Sequence, residues 1–120
     1  MIKLVFCCRR KAGMTPEEFS ARWRDVHGPL VRSLREKLPM MKRYVQSHTI
    51  GGGINEAMQQ GRGTKDPYDG ITEVWFESLD KMAGEGEDAA TAAQRLYEDE
   101  VEFIDFANSS VFVTEEFEIF

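Results

Sequence analysis

A chain of 120 residues with 21 acidic against 15 basic side chains carries a formal charge of −6 and has a pI near 5.0. That balance opposes electrostatic capture of nucleic acid or of an anionic membrane surface, and no apolar run approaches the roughly 20 residues of a membrane span. The length is that of a single domain, residues 1–120, able to bury roughly two thirds of its unfolded surface without a staple, and the opening MIKLVFCCRR is too short before its charges to be a signal peptide, so a cytoplasmic address is expected.

The chain opens as a strand. Ile2, Leu4, Phe6 and Cys8 alternate with Lys3, Val5, Cys7 and Arg9, giving one apolar and one mixed face. Cys7 and Cys8 are adjacent and alone, so they supply neither a disulfide framework nor a zinc site, and packing is their expected role. Lys11 to Met14 turn the chain into the clearest helix signal, Thr15 to Leu38, ended by Pro39. Thr15 is its N-cap, Pro16 sits where a missing N–H costs nothing, and Glu18 completes a capping box. Phe19, Trp23, Val26, His27, Leu30 and Leu34 share one face, which turns an ionisable ring inward. Gly28-Pro29 follows at once. Proline removes a donor and clashes with the carbonyl of Asp25, so the helix is expected to kink or restart there, with His27 beside freed carbonyls. His27 is then either a core histidine satisfied by one hydrogen bond or part of a small-molecule pocket.

Met41 to Ile50 is a second strand, with Tyr44, Gln46 and His48 on one face and Arg43, Val45, Ser47 and Thr49 on the other. Residues 51–69 hold many glycines and no sustained period, which reads as a long loop, either a lid or simply mobile. A third strand covers Ile71 to Phe76, and its Glu73 needs a partner or water on whichever face it lies. Ser78 is expected to cap a short turn at Leu79 to Ala83. A second long helix then runs from about Asp88 to Phe106, with Ala89, Ala93, Leu96, Tyr97, Val101 and Ile104 inside and the acidic run Glu98, Asp99, Glu100 and Glu102 solvated outside. Val111 to Phe120 forms the last strand.

Strand, helix, strand, strand, helix, strand is the α+β, ferredoxin-like βαββαβ order, which predicts a four-stranded antiparallel sheet with helices on one side. The other side needs a cover, and a second copy of the same sheet is the economical one, so a homodimer is expected.

The segments MTPEEFSARWRDVHGPLV, RYVQSHTI, PYDGITEVWFESL and EFIDFANSSVFVTEE, in that order and spacing, closely resemble the EthD domain, named for a protein associated with bacterial degradation of ethyl tert-butyl ether. The resemblance implies a dimeric α/β barrel, two sheets face to face with helices outside. Its wider superfamily includes lactone isomerases, polyketide cyclases and dehydratases, cofactor-free quinone-forming monooxygenases and haem enzymes, so fold does not choose the reaction. In several such relatives the substrate lies between helices and sheet, where His27 is expected to point.

The candidate constellation is His27 as the base, with His48 and Tyr44 as further catalytic groups. Trp23, Asp25, Glu73 and Trp75 are candidate substrate-binding or orienting residues. A neutral imidazole suits proton removal beside a carbonyl, a tyrosine suits donation to an enolate oxygen, and indoles suit stacking on a small hydrophobic or aromatic ligand in a dry site. Two distant histidines lack a metal-ligand signature, Gly51-Gly52-Gly53 opens no capped helix, and no cofactor is expected. Two functions stand: a cofactor-independent enzyme acting on an aromatic, lactone or polyketide-like carbonyl compound by acid/base chemistry or by oxygenation, and a non-catalytic accessory or ligand-binding protein of an oxygenase pathway.

Overall fold

The computed structural model describes all 120 residues. Four strands, β1 (Ile2–Cys8), β2 (Arg43–His48), β3 (Gly70–Phe76) and β4 (Ser110–Glu115), form one antiparallel sheet in the order β2-β3-β1-β4. The helices are α1 (Pro16–Arg22), α2 (Gly28–Ser33), α3 (Ile54–Arg62) and α4 (Gly86–Glu100). This is the ferredoxin-like arrangement anticipated from the element order.

Thr15 caps α1 in full: its hydroxyl accepts from the Glu18 amide at 3.1 Å, and the Glu18 carboxylate accepts from the Thr15 amide at 2.9 Å. The helix does not run unbroken to Leu38. Between α1 and α2 the residues Trp23–His27 wind as a π turn, closed by the Gly28 amide donating to the carbonyl of Trp23. The wider turn absorbs the demand made by Pro29, which sits in the first turn of α2 where its absent donor is harmless. The buried positions are Phe19, Trp23, His27 and Val31, whereas Val26 is half exposed. A 3-10 turn, Arg35–Lys37, finishes the segment before buried Leu38.

Register divides the sheet. On the helix side lie Tyr44, Gln46 and His48 of β2 opposite Val74, Thr72 and Gly70 of β3, with Phe6 and Cys8 of β1 beyond. Phe19, Trp23, Cys8, Phe103 and Ile104 pack there as the main core. Gly70 is required by that packing: a Cβ on it would stand 2.4 Å from the Trp23 ring and 2.7 Å from the Ser47 carbonyl. The open side carries Lys3, Val5, Arg43, Val45, Glu73, Trp75 and Phe112 in register across the four strands.

Five sequence expectations need correction. Residues 51–69 are not a plain loop, because Ile54–Arg62 form α3, bounded by Gly53 and Gly63 at positive φ (91° and 68°), which set the helix ends that polar composition concealed. The second long helix stops at Glu100, and Arg10 and Ile104 make an isolated antiparallel bridge that takes the chain out of helical geometry. Its buried positions are Ala89, Ala92 and Asp99, continued by Phe103, while Ala93 and Tyr97 are exposed. Ser78 makes no capping hydrogen bond, and β4 ends at Glu115 rather than Phe120.

Gly70→Ala forces the indole of Trp23 away from the strand. We expect a loss of about 1–3 kcal/mol of stability, as for an overpacked core, read by chemical denaturation, together with altered tryptophan fluorescence. An unchanged midpoint would mean that Trp23 repacks freely.

Candidate functional site

α1, the π turn and α4 bring Arg22, His27, Asp99 and Glu100 together beneath the helix layer. His27 Nδ1 lies 2.7 Å from Asp99 Oδ2, and Arg22 donates to the same carboxylate through both terminal nitrogens at 2.6 and 3.2 Å. The Arg22 hydrogen bond holds the Asp99 carboxyl below the usual range, with the His27 contact adding to it. An ionised carboxylate only accepts, so Nδ1 of His27 carries the hydrogen. Burial keeps the ring from protonating, against the pull of Asp99, and leaves Nε2 with its lone pair. That lone pair faces Glu100, whose Oε2 is 3.9 Å away. Burial beside charged Asp99 pushes Glu100 up to about 7. A basic nitrogen and an acid poised near neutrality therefore stand side by side, with the ring orientation fixed by a third group.

The other anticipated residues fall into three places. His48 is on the helix side but in a separate network: Nδ1 is 2.6 Å from the Ser20 hydroxyl and Nε2 is 2.8 Å from Gln46 Oε1, so the ring donates to Gln46 and accepts from Ser20. Its ring lies against Trp23, centroids 4.3 Å apart, and burial followed by the Arg24 charge lowers its pKa. Gln46 spends its amide hydrogens on the Trp23 carbonyl at 3.0 Å and the Tyr44 hydroxyl at 3.1 Å. Tyr44 thus accepts there and retains its own hydrogen for donation. Burial raises its pKa, and the Glu100 charge contributes in the same direction.

Trp23 is 1 % exposed and is a core residue. Asp25 lies on the surface, held by Arg24 at 2.9 and 3.0 Å, and does not orient His27. Glu73 and Trp75 are on the opposite side of the sheet, where Glu73 pairs with Lys3 at 2.8 Å and Trp75 lies under the cations of Lys3 and Arg43. Period-2 alternation separates them from His27 by the thickness of the sheet. Cys8 is fully buried with its thiol pushed up to about 12, in keeping with a packing role.

Asp99 and Glu100 are the residues that sequence reasoning missed, having been read as part of a solvated acidic run. The signal was present: Ala89, Ala92, Leu96, Asp99 and Phe103 follow one another at spacings of three and four, so the stripe that buries Phe103 must also bury Asp99.

A cleft of about 380 Å³ opens between α2 and the β2 edge. Val31, Leu38 and Met41 give it apolar walls, and Tyr44 and Gln46 carry it to the sheet. Tyr44 lines this cleft and also feels the Glu100 charge.

The sequence model of the EthD domain matches residues 11–107. The chain belongs to the EthD domain family. Solved structures similar to this EthD chain include an ethyl tert-butyl ether d (EthD) family protein of Bacillus halodurans C-125, at 14% identity, covering 98% of this chain and 99% of that one with a TM-score of 0.63. A dimeric protein of unknown function and ferredoxin-like fold from Bacteroides fragilis NCTC 9343 is 10% identical, over 96% and 95% of the two chains, with a TM-score of 0.60. An EthD-like protein of Ralstonia eutropha JMP134 is 13% identical, over 95% and 89%, with a TM-score of 0.58. No curated protein matches the chain.

The opposed shifts of His27 and Glu100 make a stability prediction. Glu100 is raised from 4.5 to about 7, so the folded chain holds this proton more tightly than the unfolded one, and its contribution is lost as pH rises through that window. His27 is lowered from 6.5, so the unfolded chain takes that proton first, and stability declines as pH falls below 6.5. Just below 6.5 the two slopes oppose each other. Glu100→Gln should expose the His27 slope, with stability falling toward acid, and His27→Gln should expose the Glu100 slope, with stability falling toward neutrality. Denaturation midpoints at half-unit pH steps read both. Two variants with the same sign of slope would contradict the assignment.

Proposed function

We propose that this EthD chain is a small cofactor-independent enzyme that moves a proton on a carbonyl compound of aromatic, lactone or polyketide-like character. Isomerisation and dehydration both need this step, and oxygenation of an ionised substrate begins with it. The observation that carries the reading is His27, with Nδ1–H fixed on Asp99 and Nε2 turned to a carboxyl group that titrates near 7. Asp99 selects the tautomer and steadies the imidazolium that forms when Nε2 takes a proton, as a carboxylate does in a nucleophile-base-acid triad. Glu100 keeps 24% of its side chain accessible and can pass a proton between Nε2 and the ligand side. Tyr44, with its hydrogen uncommitted, is suited to donate to a developing enolate oxygen. A positioned base of this type contributes about 10²–10⁴ in rate.

A second reading has its own support. The His27 side chain is 4% accessible and does not line the cleft, which favours a non-catalytic accessory or ligand-binding protein in which the cluster ties α1 to α4. Deuterium exchange at the acidic carbon of a 1,3-diketone and of an unsaturated γ-lactone, followed by NMR in D₂O, separates the two. Wild-type protein should accelerate exchange of at least one probe, His27→Gln should lose the acceleration while keeping its fold, and His48→Ala should lose little. Full acceleration in His27→Gln would remove the base from the mechanism, and no acceleration with either probe would favour the accessory protein.

For assembly, we propose a homodimer closed through the open side of the sheet, as a dimeric α/β barrel. Val5, Val45, Ile71, Trp75 and Phe112 share that side, Ile71 and Phe112 are exposed in the single chain, and the similar Bacteroides protein is described as dimeric. Light scattering at micromolar concentration should give twice the 13.7 kDa chain mass. A monomer at every dilution would leave this face in water and defeat the barrel.

A further inference from the structure

Acids outnumber bases along the chain, yet the cleft beside α2 is lined by Arg24, Arg32, Arg35, Lys42 and Arg43 and by no acidic residue. Three of these cations have company. Arg24 holds Asp25, Lys42 is 3.6 Å from Glu77, and Arg43 lies 4.7 Å from the Trp75 ring centre. Arg32 and Arg35 take part in no ion pair. They are three residues apart at the end of α2 and in the 3-10 turn after it, a spacing that puts side chains on one face. Two guanidinium groups on one face repel each other, and neither is paired with a carboxylate. Guanidinium is also the side chain best matched to a two-oxygen anion.

The rest of the lining limits the ligand further. Val31 and Leu38 are buried at the base, Met41 adds a deformable wall, and Tyr44 has a hydroxyl hydrogen to give. An inorganic ion would leave those apolar walls uncovered. We infer that the cleft binds a small organic oxyanion, an apolar body bearing a carboxylate or phosphate head, with Arg32 and Arg35 holding the head. The inference rests on the function proposed above through Tyr44, which lines this cleft and is there the donor to the ligand, and it adds the charge of that ligand.

Titration calorimetry at fixed ionic strength with 2-naphthoate, 2-naphthyl phosphate and the neutral 2-naphthamide tests it. At least one oxyanion should bind about tenfold tighter than the amide, a difference that a single charge-assisted pair can supply. The Arg32→Gln/Arg35→Gln double variant should lose that advantage while amide affinity holds, and both positions are exposed, so the fold should survive. Whichever oxyanion binds more tightly identifies the head as carboxylate or phosphate. Equal binding of all three probes, binding of none, or an advantage retained in the double variant overturns the inference. Exchange and titration read different residues: an oxyanion preference kept in His27→Gln supports the cleft even where exchange fails, and its absence sinks the cleft even where exchange succeeds.

Discussion

Pro29 has no amide hydrogen to give, and the backbone upstream has to close its turns without it. The answer is one wide turn, Trp23–His27, in which the Gly28 amide reaches back five residues instead of four. The extra residue rotates everything after it by roughly 100° about the helix axis. Phe19, Trp23, His27 and Val31 thereby make the buried line, and Val26 is turned out. The same turn exposes the Trp23 carbonyl to the side, where the Gln46 amide meets it at 3.0 Å. Gln46 in turn aligns Tyr44 and His48. Two polar networks, one around Asp99 and one around Gln46, thus descend from a single missing donor.

The Asp99 network closes its charges locally. A carboxylate this buried is tolerable only with strong donors, and Arg22 and His27 provide three contacts. Burial first, and the Asp99 charge second, then push Glu100 up to about 7. Removing Asp99 would therefore free the His27 tautomer and lower Glu100 together. Asp99 is the group that both His27 and Glu100 feel.

Much of the fold was legible because its signals are local. The Thr15–Glu18 capping box, the alternation in β1 and β2, and the inward turn of His27 all rest on residues within one turn or one strand of each other. What failed needed information from further away. The α3 helix has no buried residue, so its positions carry no core-facing stripe of the type that marks α1, and its limits are glycine conformations. Asp99 was concealed because acidic neighbours on both sides made the run look uniformly solvated, although only the Ala92–Leu96–Asp99–Phe103 line faces the core. Glu73 and Trp75 were grouped with His27 by chemical type, and strand register alone decides that they lie on the far side of the sheet.

Charge is also distributed by element in a way that total charge conceals. The acidic excess sits largely on α4 and the residues after it, while Arg24, Arg32 and Arg35 come from the first helical segment and Lys42 and Arg43 from the entry to β2. Pro39 and the turn after it bring the two basic stretches together around one cleft. A net charge of −6 repels anions at long range, but over a few ångströms the nearest side chains dominate, because the Debye length in physiological salt is only about 8 Å. The negative surface and the basic cleft are therefore compatible. A small oxyanion that reaches the α2–β2 cleft meets five cations, apolar walls and no carboxylate.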